Sequence, residues 1–317
     1  MATSGSIDWT TTRDEIIKAA YRLVVVDEDF APTTNQTSNA SLLLNAITKS
    51  YNAKLGMPLW AMGTGFILPF TTSYSTNSTS GYVTASYSQT TLSLAGDTSD
   101  LTIEVTSTSG IGNGYFIGIE ADSGDMHWTT VNGSLSGNTV TITAALPADS
   151  AIGKNVYCFQ TRLSRPLRVI DAYTIVGTQT ESQSDVPVRI ITPEEFLEFS
   201  NKTSEQYPLF LNYEPLIGYG NYKVWPRFSN GQRVVAFRYH RALEDFDAGT
   251  DTPDFPVEWN LPLIYELAIL LAPTYNMEIN KLALLRRERD KWVSDVADND
   301  YEEGSIHFSP AQNPYRM

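Results

Sequence analysis

Apolar residues at helical spacing predict two amphipathic helices near the start of the chain. The first helix is expected to follow Thr12, which forms a capping-box pair with Glu15. The second is expected over about 35–55, with Gly56 as its C-cap. The apolar faces are Ile16, Ala20, Leu23 and Val24 in the first helix, and Ala40, Leu43, Leu44, Ile47 and Tyr51 in the second. Two antiparallel helices joined by a short loop are the expected product.

A block rich in Ser, Thr and Gly follows at about 84–158, and its pattern changes to a two-residue alternation. Segments 101–105 and 139–143 alternate apolar and polar side chains, as half-buried strands do. Segments 115–119 and 156–159 are further strand candidates. The block carries one basic residue, Lys154, against seven acidic ones. We therefore predict an inserted all-β domain, a sandwich or small barrel of Ig-like type, with an acidic surface.

Beyond residue 165 the pattern predicts strands followed by helices. Four strands are expected, at 167–176, 209–213, 222–228 and 233–239. The pair Asn230-Gly231 predicts a hairpin between the last two of them. Thr192 and Glu195 form a second capping-box pair at the start of a short helix. A buried helix capped by Asn260 and a final helix over 279–297 complete the order.

Together these elements predict an α+β fold, a helical bundle with a small antiparallel sheet, interrupted by the inserted β-domain. Residues 1–83 are expected to form the first part of the helical domain. Residues 159–297 are expected to form its second part, which holds the sheet and the C-terminal helices. The inserted domain extends over 84–158, and residues 298–317 are expected to form an extended tail.

The charge of the chain limits its possible partners. The 317 residues carry a formal net charge of −14 at pH 7. Such an acidic surface argues against wrapping nucleic acid, which depends on Lys and Arg, but it suits the wall of a channel through which DNA slides. The N-terminus lacks the pattern of a secretory signal peptide, and the longest apolar run, 261–272, is too short to span a bilayer. A soluble protein made in the cytoplasm, without a membrane partner, is expected.

Candidate chemistry is sparse in this sequence. Three histidines lie in different segments, without a partner at metal-ligand spacing: His127, His240 and His307. No phosphate-binding loop or nucleophile motif is present. Four aspartates resemble a calcium loop but lack its spacing and its bidentate Glu: Asp245, Asp247, Asp251 and Asp254. Cys158, the only cysteine, is expected to be a buried apolar residue. We predict a protein that is not an enzyme and has no cofactor or metal.

Arg286, Arg287 and Arg289 form a basic cluster on the final predicted helix. Arg286 and Arg289 share a face one turn apart, and Leu282 and Leu285 supply apolar neighbours. In a chain this acidic, the cluster is a candidate for docking onto an acidic surface of another subunit or for approaching DNA phosphates. An ordinary solvated helix face is the alternative.

Short motifs occur in a fixed order on both sides of the inserted block and within it. In the first part they are Asp14-Glu15-Ile-Ile-x-x-Ala19-Ala-x-Arg22, Gln36…Leu44-Asn45-x-x-x-Lys49 and Gly56-x-x-Leu59-Trp60. In the last part they are Val224-Trp225-Pro226, Tyr239-x-Arg241-x-Leu243-x-Asp245-Phe246-Asp247, Asp254-Phe255-Pro256-x-Glu258-Trp259 and Leu267-Ala268-x-x-Leu271-Ala272-Pro273-x-Tyr275. The block adds Gly118-Ile119-Glu120, His127-Trp128-Thr129-Thr130 and Ala145-Leu146-Pro147. In this order they resemble the head-to-tail adaptor (connector) proteins of short-tailed bacteriophages, such as tail tubular protein A and packaged-DNA stabilisation proteins. The chain departs from that pattern at Val24-Val-Val26, where a Leu-Gly turn is expected.

The resemblance implies a structural virion protein rather than an enzyme. Such adaptors form a ring, usually of twelve subunits, between the portal protein and the tail nozzle protein, and they extend the channel for double-stranded DNA. Their helical bundle and C-terminal tail engage neighbouring subunits and the portal. Here the corresponding interface candidates are the arginine cluster and four apolar residues of the tail: Tyr301, Ile306, Phe308 and Tyr315. The expected location is the virion, at the portal vertex.

Two questions stay open at the level of the sequence. The inserted domain is expected either to decorate the ring and contact tail fibres, or to bind host glycans through aromatic side chains, namely Trp128, Tyr115 and Tyr157. The alternative function is a phage tail-associated hydrolase that acts on cell-wall or surface polysaccharide, with carboxylates drawn from Glu194, Glu258 or Asp245. A receptor-binding fibre is a third class, and the long β-repeats typical of such fibres are absent from the sequence.

Overall fold

A computed structural model describes residues 9–25, 29–54, 59–70, 73–176 and 184–297. The chain divides into two compact units. One unit joins both ends of the chain, Met1–Ala61 and Leu243–Met317, and is called the terminal unit below. The other is the continuous stretch Met62–Ala242, called the central unit.

The terminal unit is helical. The described residues contain five α-helices: α1 (Arg13–Val25), α2 (Thr34–Lys54), α3 (Pro193–Glu198), α4 (Asn260–Leu271) and α5 (Ile279–Ala297). All except α3 belong to the terminal unit, where α4 packs against α1, α2 and α5. The most buried residues of its core are Ile16, Ile17, Leu44, Trp259, Leu263 and Leu267. The apolar face of each outer helix therefore meets the apolar α4, which explains why their periodicity is so clear.

Most helix boundaries follow the sequence. At α1 the backbone N–H of Thr12 donates to Glu15 Oε2 at 2.8 Å, and the N–H of Glu15 donates to Thr12 Oγ1 at 3.4 Å. The bond from the Thr12 N–H, together with one from the Thr12 hydroxyl to Glu15 Oε2 at 3.0 Å, holds the pKa of the Glu15 carboxyl below its usual value. The capping box at Thr192 is also confirmed, and so is the final helix. The predicted C-cap, Gly56, lies outside the described residues.

The predicted cap at Asn260 is wrong. The residue lies inside α4 and makes no capping bond to the helix N-terminus. Its side-chain Nδ2 donates instead to Thr11 Oγ1, 3.2 Å away. The buried Asn260 thus ties the segment before α1 to α4, an interaction between distant parts of the chain that a local pattern cannot reveal.

The central unit is built of β-strands. Those in the described residues are β1 (Met62–Ile67), β2 (Ser75–Asn77), β3 (Val83–Thr84), β4 (Ser88–Thr91), β5 (Thr102–Glu104), β6 (Phe116–Glu120), β7 (Met126–Thr130), β8 (Thr139–Thr141), β9 (Asn155–Phe159), β10 (Arg168–Val176), β11 (Ser184–Ile190), β12 (Glu205–Gln206), β13 (Phe210–Pro215), β14 (Gly220–Trp225), β15 (Arg227–Phe228) and β16 (Arg233–His240).

Eight of these strands form one mixed sheet, in the order β2-β14-β13-β11-β10-β16-β1-β3. β16 lies between β10 and β1 and is antiparallel to both, whereas β11 and β13 run parallel. The predicted hairpin at Asn230-Gly231 is wrong, because β14 pairs with β13 and β2 rather than with β16. The turn between β13 and β14 contains Gly218 at φ +86°, a conformation that favours glycine.

The Ser/Thr/Gly block supplies the smaller sheets of the central unit. Its strands form a four-stranded sheet, β4-β9-β6-β7, and a two-stranded sheet, β5-β8. Their inward side chains make a core of Leu, Ile and Val that includes Ile117, Ile119 and Val156. The four strands predicted in this block are therefore confirmed, with boundaries shifted by a residue or two.

A second core, the aromatic seam, joins this block to the eight-stranded sheet within the central unit. Its members come from both sheets and the segments beside them: Leu68, Tyr157, Phe159 and Val234, with Phe66, Tyr82, Tyr87, Phe116, Met126 and Trp128 packed around them. The rings of Trp128 and Tyr82 stack with centroids 4.5 Å apart. The indole N–H of Trp128 donates to the Pro69 carbonyl at 3.0 Å.

The fold class predicted from the sequence is wrong. The chain is not a helical bundle with a small antiparallel sheet and an inserted domain, since it is mostly β and its main sheet is mixed and eight-stranded. Several strands of that sheet have compositions that disfavour β-structure, notably Gly63 and Gly65 in β1 and Pro187 in β11. The seam, moreover, joins the block to the sheet.

Candidate interaction surface of the terminal unit

The outer face of α5 combines apolar and basic residues. We define it as Ile279, Ala283, Leu284, Arg286, Arg287 and Lys291, all of which are exposed. Leu284 is 57% exposed and Ile279 is 78% exposed, while Leu285 on the opposite side is buried against α4. Arginine is enriched in protein interfaces, so a helix face that combines exposed apolar residues with two arginines is a candidate protein-binding face.

The predicted arginine cluster divides into two kinds of residue. Arg289 turns toward α4, where its Nη1 donates to Glu266, and its Nε donates to Asp290 Oδ1 at 2.7 Å. Arg286 and Arg287 are exposed, and their guanidinium groups have no hydrogen bond or ion pair within the part of the chain that the structure describes. Arg289 is therefore an internal structural residue, and only the other two remain candidates for docking.

Removing Arg289 should destabilise the protein, whereas removing its neighbours should not. In Arg289→Ala the carboxylate of Glu266, only 13% exposed, loses its partner, and we expect the free energy of unfolding to fall by about 1–3 kcal/mol. Arg286→Ala and Arg287→Ala are the matched controls, with changes within about 0.5 kcal/mol. Urea unfolding measures all three. Equal losses in the free energy of unfolding at the three positions would contradict the distinction between Arg289 and the other two arginines.

A second exposed face belongs to α2 and carries no charge over most of its length. We define the outer face of α2 as Asn35, Ser38, Asn39, Leu42 and Ala46, which lie opposite its buried residues. Leu42 is 72% exposed. A groove of about 600 Å³ runs beside it, lined by Arg13, Pro32, Thr34, Thr37, Ser38, Ser41, Leu42 and Asn45.

The four aspartates that resemble a calcium loop without its spacing lie in a segment that contacts the groove through Arg13, whose Nη1 donates to the Asp247 carbonyl at 3.5 Å. Backbone N–H groups organise this segment. Asp251 Oδ2 accepts the N–H groups of Asp247 and Ala248 at 2.8 and 2.6 Å, and Asp245 pairs with Lys49 at 2.8 Å. Among the described residues, no group of three or more His, Cys, Asp or Glu side chains is arranged to hold a metal ion. The segment 244–254, called the acidic loop below, carries five acidic residues and no basic one.

The acidic loop is fixed to α2. The side chain of Asn45 donates to the carbonyl of Phe246 at 3.2 Å and accepts its N–H at 2.9 Å. Lys49 Nζ donates to the carbonyl of Leu243 at 2.7 Å. Of the five acids, Glu244 and Asp247 are exposed, and within the described chain their carboxylates accept no hydrogen bond and form no ion pair. The sequence analysis did not identify this surface, although the uncharged run from 34 to 48 was visible in it.

The remaining site residues predicted from the sequence are the four apolar residues of the tail and the three carboxylates of the hydrolase alternative. The four apolar residues of the tail fall outside the described part of the chain: Tyr301, Ile306, Phe308 and Tyr315. The carboxylates considered for a hydrolase belong to different units, Asp245 and Glu258 to the terminal unit and Glu194 to the central unit. Glu194 lies in the first turn of α3, where an acid favours the helix dipole.

The aromatic residues considered for glycan binding take part in packing. Tyr157 is fully buried, Trp128 is stacked on Tyr82, and Tyr115 packs against the core of the block. Of the histidines, His240 is buried and His127 Nε2 contacts the Ala144 carbonyl at 3.2 Å, while His307 lies outside the described residues.

Cys158 is buried in β9, as predicted, and this makes it a probe of unfolding. It is 1% exposed, and burial raises the pKa of its thiol to about 12. We expect the native protein to react with a maleimide at pH 8 at least about tenfold more slowly than the urea-unfolded chain, because thiolate reactivity requires access. Mass spectrometry of the labelled chain measures both rates, and rapid labelling of the native protein would contradict the burial.

None of the described helices is both long and apolar enough to cross a membrane. The sequence matches no protein-family model and has no significant match among curated proteins.

Proposed function

We propose that this protein is a ring-forming head-to-tail adaptor of a short-tailed bacteriophage, which joins the portal to the tail nozzle and extends the DNA channel. The observation that carries the proposal is the outer face of α5. It presents Ile279, Leu284, Arg286 and Arg287 to the solvent on a helix whose opposite side packs on α4, and arginine is among the residues that protein interfaces favour over the rest of the surface. A subunit of a ring needs such faces.

The motifs on which the resemblance to adaptors rests also support the proposal, through the positions of their residues in the fold. Motifs from opposite ends of the sequence supply one aromatic cluster in the terminal unit. Trp60 lies 5.5 Å from Phe255 and 6.4 Å from Trp259, measured between ring centroids, and Tyr51 contacts both of those rings. These motifs therefore build one common core, and their order along the chain is more informative than any one of them.

The charge of the chain fits the same role. DNA that moves through a channel must not bind its wall, and a protein with a net charge of −14 repels the phosphate backbone at long range. In this proposal the protein is a structural component of the virion at the portal vertex, made in the host cytoplasm. It contacts copies of itself, about twelve in the ring, the portal and the nozzle protein, and the block at 84–158 attaches tail fibres.

Loss of the gene tests the proposal. In a phage that carries this gene with an early stop codon, grown without complementation, we expect DNA-filled heads that lack a tail nozzle in electron micrographs. Normal tails on such particles would contradict the role.

A zymogram of the purified protein against peptidoglycan and surface polysaccharide tests the hydrolase alternative, and a cleared band would favour it.

A further inference from the structure

We propose that the outer face of α5 on one copy binds the α2 groove and acidic loop of a second copy of this chain. The inference rests on the proposed function, because a ring needs two complementary faces on each subunit. Both faces belong to the terminal unit, where α2 and α5 each pack against α4. Since the two faces differ in composition, the contact is heterologous, and its repetition closes a ring.

The shapes of the two faces match. Leu284 is exposed on α5 with Lys281 and Arg287 one turn away on either side, and Ile279 is a second exposed apolar residue at the start of the helix. The α2 groove is concave, has a volume of about 600 Å³ and has the exposed Leu42 at its edge. Small hydroxyl residues form much of the remaining lining, so a partner helix can approach closely. The proposed contact buries both leucines.

The charges on the two faces also match. The α5 face carries Arg286, Arg287 and Lys291, and the one exposed acid among them, Asp290, is already paired with Arg289. The acidic loop carries five carboxylates and no basic residue. The carboxylates of Glu244 and Asp247 accept no hydrogen bond and form no ion pair among the described residues, and the guanidinium groups of Arg286 and Arg287 are likewise unpaired there. Opposite charges of this kind determine which faces meet and in which register.

Cross-linking between two variants that each carry one added, exposed cysteine tests the contact. Ser38→Cys lies in the α2 groove and Ala283→Cys lies on the α5 face, and both substitutions leave the two leucines in place. With a short bismaleimide, a mixture of the two variants should give at least about tenfold more cross-linked dimer than Ser38→Cys mixed with Ala95→Cys, an exposed residue of the β-block. The buried Cys158 contributes no background. Equal yields in the two mixtures would overturn the proposal.

Charge reversal and its rescue make the test specific. Glu244→Lys with Asp247→Lys on the Ser38→Cys protein should lower the yield about tenfold, and so should Arg286→Glu with Arg287→Glu on the Ala283→Cys protein. Combining the two reversed proteins should restore the yield, because each meets its opposite charge again. The inference would be overturned if neither pair of substitutions lowered the yield of cross-linked dimer. It would also be overturned if combining the two reversed proteins lowered the yield further instead of restoring it. Rings seen on the portal without these cross-links would refute the assigned faces and leave the proposed function standing.

Discussion

Trp128→Ala should lower the free energy of unfolding of the central unit by about 3 kcal/mol, near the lower end for a packed tryptophan. The substitution removes the ring that stacks on Tyr82 and packs edge-on against Phe159. It also leaves the buried carbonyl of Pro69 without its indole donor. For a domain of this size, such a loss corresponds to a fall of roughly 6–12 °C in the melting temperature.

Two further substitutions make this result interpretable. Trp128→Phe keeps one aromatic ring in the seam and loses the hydrogen bond and the second ring of the indole, so its cost should be about 1–2 kcal/mol. Trp9→Ala removes a tryptophan that is 66% exposed, and its cost should stay below about 0.5 kcal/mol. Calorimetry measures all three variants. If Trp128→Ala were no more harmful than Trp9→Ala, the seam would not join the block to the sheet.

The aromatic seam also determines how deletion of the block at 84–158 would affect the rest of the central unit. Without residues 84–158, the fully buried Leu68 and the buried Val234 of the large sheet would lose their cover. Newly exposed apolar surface of this kind favours aggregation. The role of the block in recruiting fibres is therefore better tested by substitutions on its exposed acidic side chains than by deletion.

A chain that ends at Ala297 should fold normally and fail to bind the portal. The terminal unit keeps all of its described core residues in this truncation, up to Val296 and Ala297 at the end of α5. It loses the four apolar tail residues, Tyr301, Ile306, Phe308 and Tyr315, which the resemblance to adaptors assigns to the interface. We expect binding at least about 100-fold weaker, since interface energy is concentrated in a few large side chains.

Surface plasmon resonance on immobilised portal measures this binding. Circular dichroism and the melting temperature of the truncated chain serve as the control for folding. Truncated protein that melts like the full chain and still binds the portal with unchanged affinity would show that the tail is dispensable for docking.

The helices were predictable because each depends on local information. The capping boxes at Thr12 and Thr192 and the apolar faces of α1, α2 and α5 are written within a few turns of chain. Four strands of the large sheet were predicted from the sequence and are confirmed as β10, β13, β14 and β16. The pairing of these strands with four others in one mixed sheet was not predictable, because it joins segments that lie far apart in the sequence. In β1, Gly63 and Gly65 lie opposite Tyr239 and Phe237 of β16. A Cβ at either glycine would come within 3 Å of the aromatic ring opposite it. The rings of β16 therefore occupy the space beside the two glycines, and the glycines hide the strand pattern of β1 in the sequence.

The candidate interaction surface, too, could be predicted only in part, because some of its contacts join distant parts of the sequence. The arginine cluster was visible as a pattern, but its division depends on Glu266, a residue of α4 that only the fold brings to Arg289. The acidic loop was visible in the sequence as a run of aspartates without the spacing of a calcium loop. Its attachment to α2 through Asn45 and Lys49, across about two hundred positions of the sequence, required the structure.

The mass of the complex between the purified protein and its portal tests the central claim most directly. An adaptor ring of twelve chains of 35.2 kDa each should add about 420 kDa to the portal in mass photometry. The result that would contradict the claim is a portal whose mass stays unchanged at protein concentrations well above those in the cell, or one that takes up only one or two chains.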